Sequence, residues 1–339
     1  PEKLTISKFQ QIPLELKQSI SQFCQLSTDG IILGNSATYG IHLLANGLSF
    51  KAGDEIIVMC NDFPTDILPW LYLKEKGVII RQLKALKYVL GVEEVKAAIN
   101  ARTRLICLPL VHTFSGWKLD IEAIGRLARQ HGILSVINMS QAFGAFRIDM
   151  STLPIDAVVC AGYKWLLGPY GTGFCWVNKK ILEQLDYPQG YWISLMDERS
   201  LNSTSEIVLP VDKTTRRYDI FATANFFNYV PWIASLNYLN AIGIDQIEKH
   251  NKVLVDLFHE RLDSDRFVLI SPVAINERSN IVVFSHNNAS VNAALFEHLK
   301  INRFYLAFWK GNIRFSPHLF NKKEEVLQLL KILNTYEPK

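Results

Sequence analysis

Six short apolar runs, rich in β-branched residues, constrain the fold of this chain more than any other feature. They are Glu55–Cys60, Val78–Leu83, Leu105–Leu110, Ile133–Ile137, Ala157–Ala161 and Phe174–Val177. Helical patterns precede or separate them at about Ala37–Leu48, Asp66–Lys76, Gly91–Asn100 and Ile121–His131. Continuous apolar strands alternating with helices predict a mostly parallel sheet covered on both faces, an α/β architecture. In such sheets ligands gather outside the carboxyl ends of the strands, so the residues just after each run are the ones to inspect. Beyond about Asn225 the rhythm changes. Helical stretches at Asn225–Ala241 and Ile244–Leu262 lead into strands at Phe267–Ser271 and Asn280–Ser285. A helix at Val291–Leu299, a strand near Asn312–Phe315 and a helix at Lys322–Leu333 follow. The expectation is a short amino-terminal segment (1–30), a large α/β domain (31–225), and a bridging helix with a smaller α+β domain (226–339).

Composition narrows the function classes. With 339 residues, 49% hydrophobic and 20% charged, the chain has enough apolar material for a large core and is not disordered or fibrous. The net charge of +4 comes from scattered basic residues, which gives no footprint for nucleic acid. No apolar run approaches the ~18 residues needed to cross a bilayer, and Pro1-Glu2-Lys3-Leu4 does not resemble a secretory leader. Cys24, Cys60, Cys107, Cys160 and Cys175 form no CxxC pair, and three sit inside apolar runs. That usage suggests reduced packing cysteines in a cytoplasmic protein and no metal site.

Five segments carry candidate chemistry. In Cys160-Ala-Gly-Tyr163-Lys164-Trp-Leu-Leu-Gly-Pro-Tyr-Gly-Thr-Gly173 a lysine follows an apolar strand and enters a glycine-rich loop. Burial would lower its pKa and make the amine nucleophilic, as Schiff-base chemistry requires; a surface lysine opening a turn would look the same. Gly34-Asn-Ser-Ala37-Thr38-Tyr-Gly40 runs into an apolar helix, which suits either a phosphate on free backbone amides or a plain N-cap. Asn138-Met-Ser-Gln141 ends a buried strand in polar side chains. Asn61-Asp62-Phe63-Pro64-Thr65-Asp66 places an aromatic ring after another. Gly311-Asn-Ile-Arg314-Phe-Ser-Pro317 sets an arginine, whose fork suits a carboxylate, in a short strand. His112, in Leu-Val-His-Thr-Phe-Ser-Gly, is either a cofactor-facing polar residue or a hydrogen-bonded structural histidine. His318 reads as structural, and Phe304–Trp309 as strand core and pocket wall.

The order of these segments resembles the class V aminotransferase family of pyridoxal-phosphate enzymes, which includes kynureninases, cysteine desulfurases and isopenicillin-epimerase-like proteins. Gly-Tyr-Lys-Trp-Leu-Leu-Gly-Pro resembles the family's Schiff-base motif. Asn-Asp-Phe-Pro-Thr-Asp, with Pro69-Trp70, resembles the EFPSN…PW pattern of one branch. Arg217-Tyr-Asp…Ala-Thr223-Ala-Asn225 resembles RFE.GT.N, and Asn-Ile-Arg-Phe-Ser-Pro-His resembles LRISPH. The resemblance spans about residues 31–335. It implies fold type I and pyridoxal 5'-phosphate as cofactor, with Lys164 as the Schiff-base lysine and carrier of the substrate α-proton. It also implies a phosphate held by the Ala37 backbone and Thr38 with Tyr163, a ring stacked on Phe63, and Gln141 at the ring's phenolate oxygen. Thr223 and Asn225 would reach a neighbouring subunit's phosphate in a homodimer, and Arg314 would bind the α-carboxylate of an amino-acid or amine substrate.

Three departures bear on activity. The family's Asp-x-x-Gln is here Asn138-Met-Ser-Gln141, and a neutral amide cannot supply the charge that keeps a pyridine nitrogen protonated. No cysteine follows Cys175, which argues against persulfide chemistry on the protein. Only 34 residues precede Asn35, about half the family's usual length, and Asp219 and Ala222 replace the usual Glu and Gly. Transaminase, lyase and epimerase outcomes all stay open. The alternative is a vestigial, non-catalytic member with a structural or partner-binding role.

Overall fold

The computed structural model describes residues 5–196, 202–204, 206–208, 214–222 and 225–338. The large sheet has seven strands: β1 Ile31–Gly34, β2 Glu55–Met59, β3 Ile79–Leu83, β4 Thr103–Pro109, β5 Leu134–Asn138, β6 Ala157–Ala161 and β7 Gly173–Val177. Their order is β1-β7-β6-β5-β4-β2-β3. β3, β2, β4, β5 and β6 run parallel, and β7 is antiparallel to both of its neighbours. Strand alternation divides the core in two. Leu33, Ile57, Ile106, Ile137, Val158 and Phe174 face one side, while Ile32, Ile56, Val58, Val136, Val159 and Cys175 face the other. Both faces are covered, as continuous apolar strands require.

All six expected runs form strands of this sheet, with ends moved by a residue or two. β1 was not anticipated; its four residues are too few to show a period. Also unanticipated is α1, Ile6–Cys24, which opens on the side chain of Thr5 and buries Leu16, Ile20 and Phe23 along one stripe. The helix expected over Asp66–Lys76 is instead a succession of short pieces: a 3₁₀ turn at Pro64–Asp66, a helical turn at Leu68–Leu71 and another 3₁₀ turn at Tyr72–Lys76. Pro69 has no N–H to continue the helical ladder.

A second sheet, β10-β11-β9-β8, is antiparallel throughout and comprises β8 Phe267–Leu269, β9 Val282–His286, β10 Ala307–Trp309 and β11 Asn312–Phe315. Helices Ile244–Arg261, Asn292–Ile301 and Lys323–Asn334 join it around Phe258, Phe284 and Phe315. The helix Phe226–Ile242 contributes Tyr229, Trp232, Leu236 and Leu239 to the core of the large sheet. Backbone carbonyls tie the two sheets together. Trp117 Nε1 donates to Ile270 O at 3.0 Å, Ser279 Oγ to Gly116 O at 2.7 Å and Asn280 Nδ2 to Ala145 O at 2.6 Å.

The parallel order has a geometric consequence. β1 and β6 point the same way, so Gly34, Met59, Pro109, Asn138 and Ala161 all end at one edge of the sheet. Helix α2, Ala37–Gly47, starts at that edge. It lies tight against the sheet because Gly173 and Gly40 lack side chains. A Cβ on Gly173 would come within 2.8 Å of the Ser36 backbone, and one on Gly40 would sit 2.7 Å from Val159 Cγ1. A buried ion pair anchors α1 beneath this corner. Lys17 Nζ lies 2.9 Å from Asp219 Oδ2, while Asp219 Oδ1 accepts from the Leu33 amide at 2.8 Å. Next to it, Tyr39 Oη on α2 donates to Tyr218 O at 2.5 Å. Replacing Lys17 by Met strands the Asp219 carboxylate in the core. The expected loss is about 3–5 kcal/mol in urea unfolding; a loss under about 1 kcal/mol, the range of an exposed pair, would contradict this role.

Candidate active site

The lysine loop is built by close packing. After β6 the chain turns at Gly162, whose amide bonds to Thr172 O at 2.9 Å, and closes when the Gly168 amide meets Gly162 O at 2.8 Å. A Cβ at Gly162 would lie 2.5 Å from both the Trp232 ring and Thr172 Oγ1, so only glycine lets the helix Phe226–Ile242 press on this loop. Ser235 Oγ holds Leu167 O at 2.9 Å, and His318 of the smaller sheet's layer bonds Trp165 O through Nε2 at 3.0 Å. Lys164 is thus gripped on both sides. Burial lowers its pKa, offset by Cys160 and the charge of Asp66 and reinforced by the charge of Arg314. Its Nζ stands 5.4 Å from the centre of the Phe63 ring and makes no hydrogen bond among the described residues. A partly desolvated, unpaired amine is prepared for nucleophilic attack.

Other strand-end residues converge here. Gln141 is buried, and its Oε1 accepts from Trp165 Nε1 at 3.0 Å, which turns Nε2 toward Thr113 Oγ1 at 3.5 Å. Arg314, on β11, donates to Thr113 O at 3.3 Å; its Nε is buried with no partner, and desolvation lowers its pKa. A guanidinium with an unpartnered Nε, close enough for its charge to act on the unpaired Lys164 amine, is suited to a carboxylate. At the start of α2 the Ala37 and Thr38 amides have no carbonyl one turn back, Ser36 Oγ caps the helix from the Tyr39 amide, and Thr38 Oγ1 meets Thr65 Oγ1 at 2.8 Å. Thr38 and Phe63 open onto a cleft of about 510 Å³, and Arg314 onto one of about 760 Å³. A larger cleft, about 820 Å³, is lined by Leu86, Trp117 and Phe146 and contains none of these residues.

The remaining described candidates have contacts of their own. His112 has both ring nitrogens engaged, Nδ1 with Ser115 Oγ at 2.7 Å and Nε2 with Asn61 O at 3.3 Å, and burial depresses its pKa to about 4. Tyr163 is exposed and packs on Tyr170 at 4.8 Å. Asn225 is exposed and caps the helix Phe226–Ile242. Thr223 lies outside the described residues.

Sequence reasoning missed Asp66. It is 1% exposed, and its Oδ1 accepts from Asn138 Nδ2 at 2.7 Å. Asn138 Oδ1 in turn accepts from the Ser140 amide at 2.9 Å, which fixes the orientation of the amide. Asp66 Oδ2 has no hydrogen bond among the described residues. Burial pushes the Asp66 pKa up to about 7, against the opposing pull of the Asn138 bond and the Lys164 charge. Nearby Asp62 is also buried and raised, first by desolvation and then by Asp66, and its Oδ2 is unpartnered. The only hint in the sequence was an acid inside a motif segment read for its phenylalanine.

A seven-stranded α/β sheet with a lysine loop after β6 and a smaller antiparallel layer defines fold type I. Solved structures agree. A complex of the cystine C–S lyase C-DES with its product cysteine persulfide superposes with a TM-score of 0.86, covering 98% of this chain and 88% of that one at 19% identity. A C-DES mutant with glycine covalently linked to the PLP cofactor gives 0.85, with 98% and 87% coverage at 18% identity. Among curated relatives, a probable cysteine desulfurase of Methanothermobacter thermautotrophicus is 26% identical over 93% of this chain and 81% of its own. The model of the class-V aminotransferase family matches residues 5–329, and the chain belongs to that family.

The raised Asp66 carboxyl predicts a pH signature in the cofactor-free chain. The folded state holds this proton more tightly than the unfolded state, so the associated stability is complete below the ordinary carboxylate range and is lost as pH rises through about 7. Compared with Asp66→Asn in denaturant titrations, the parent chain should lose stability between pH 4 and pH 7. Parallel curves would contradict a raised Asp66.

Proposed function

We propose that this family member is a pyridoxal-phosphate enzyme acting on an α-amino acid, with Lys164 as the covalent anchor. The unpaired, desolvated Lys164 amine, within reach of the charge of an Arg314 guanidinium whose Nε is unpartnered, carries this reading. The residues present fit the cofactor. Free amides at the start of α2 with Ser36 and Thr38 suit its phosphate, Phe63 offers a ring face near Lys164, and Gln141 has an amide held by Trp165 with N–H groups to donate. When bound, the cofactor supplies an aldehyde for the amine and an electron sink for the carbanion formed at Cα.

Around it, each residue has a separate task. Arg314 binds the substrate carboxylate and so turns the Cα–H bond toward Lys164. Lys164, when its amine is free, would take that proton at Nζ. Burial keeps the amine neutral for longer as pH falls and so available as a base. Among possible outcomes, elimination of a β-substituent to solvent suits this chain better than sulfur transfer to a protein thiol. Cys24, Cys107, Cys160 and Cys175 are buried, and Cys60 is only half-buried at the end of β2. A vestigial reading has one observation in its favour, the neutral Asn138.

Two measurements test the proposal. Added pyridoxal phosphate should give a visible absorption band that Lys164→Ala abolishes; a band unaffected by that change would refute the anchor. Arg314→Lys replaces a two-pronged contact by a point charge. It should raise KM for the amino acid by about 10–100-fold with a smaller effect on kcat, since a charge-assisted hydrogen bond contributes ~1.5–3 kcal/mol. A loss confined to kcat would place Arg314 elsewhere in the cycle.

A further inference from the structure

Resting on the reading of this pocket as a pyridoxal-phosphate site, we propose that Asp66 has exchanged roles with Asn138 and is the carboxylate that serves the pyridine nitrogen of the cofactor. Asp66 is buried to 1% exposure and bonded through Oδ1 to the amide of Asn138, and none of the described residues bonds its Oδ2. Asn138 cannot do the work itself. Its carbonyl oxygen already accepts from the Ser140 amide and its Nδ2 donates to Asp66, and it can bring a ring N–H no negative charge. Neighbouring Asp62 already has Oδ1 on the Phe63 amide and lies toward Lys310, which eases its charge. Asp66 instead feels the charge of Lys164.

The sequence pattern agrees with the geometry. In EFPSN, the pattern that residues 62–66 resemble, Asn stands where this chain has Asp66, while the family's Asp stands where this chain has Asn138. The two side chains meet at 2.7 Å, so exchanging them keeps one carboxyl and one amide in the same buried volume. The proton balance is simple. A carboxyl that holds its proton near neutral pH, as burial makes Asp66 do, passes it to the ring nitrogen: the O–H bond breaks, its electron pair stays on oxygen, and an N–H bond forms. Asn138 is then a positioning residue that holds the carboxylate, and its neutrality is no sign of lost function.

The test compares the parent protein with Asp66→Asn, Asn138→Asp and the exchanged pair, using the dissociation constant for pyridoxal phosphate and the visible spectrum of the bound cofactor. Asp66→Asn should weaken binding by about 10–100-fold and shift the spectrum, because a charge-assisted contact is lost. The exchanged pair should return to within roughly threefold of the parent, with the parent's spectrum. A merely structural Asp66 would lower melting temperature without changing the spectrum. The proposal is overturned if Asp66→Asn keeps the parent's affinity and spectrum, or if the exchanged pair folds but stays as impaired as Asp66→Asn. If Asp66→Asn does not fold, the exchanged pair decides alone: a parent-like spectrum upholds the exchange, and a shifted or absent band overturns it. A parent protein that binds no cofactor at all, with Lys164→Ala behaving identically, refutes the function itself and the exchange with it.

Discussion

The proposed site depends on a single buried hydrogen bond, from the amide of Asn138 to the carboxyl of Asp66. An isolated carboxylate is expensive to bury. This one is tolerated because an amide donates to it, Lys164 stands near enough to offset its charge, and burial lets it hold a proton up to about pH 7. The same bond joins the end of β5 to the segment after β2 and so makes a buried floor across the end of β4. A neutral residue at the strand end therefore coexists with a charge at the site.

Above that floor the lysine loop is a junction rather than a free loop. Trp232 packs against it where Gly162 and Gly168 lack side chains, Ser235 holds Leu167 O, and His318 holds Trp165 O. Trp165 in turn orients Gln141. A change in the smaller sheet's layer is thus passed to Lys164 through the backbone of its neighbour. Arg314 is carried by that layer while bonding Thr113 O after β4, so the proposed carboxylate recognition would depend on how the two layers sit together.

Much of this was legible in the sequence. The parallel strands were, because each is a continuous apolar run buried on both faces. So was the lysine, which lies just past such a run, where α/β sheets place ligands; the start of α2 showed in its small and hydroxylated residues, and the arginine in its short strand. Short or indirect signals were not. β1 has four residues, and the segment after Asp66 lost its helix to Pro69. α1 is a polar helix whose buried stripe is evident only against Phe226–Ile242, and its Lys17 pairs with Asp219, far away in sequence. Asp66 was hidden for a related reason. Asn138 looked like the loss of a charge because the Asp66 carboxyl lies in a 3₁₀ turn after β2, and only the fold brings the two within hydrogen-bond reach.

The protonation of the ring nitrogen is the quantity on which this account turns. Nitrogen-15 NMR of the protein reconstituted with ring-labelled pyridoxal phosphate reads it directly. A protonated-type shift in the parent protein that moves to the unprotonated range in Asp66→Asn is the predicted result. An unprotonated nitrogen in the parent, or a protonated one that survives loss of the Asp66 carboxyl, would contradict it.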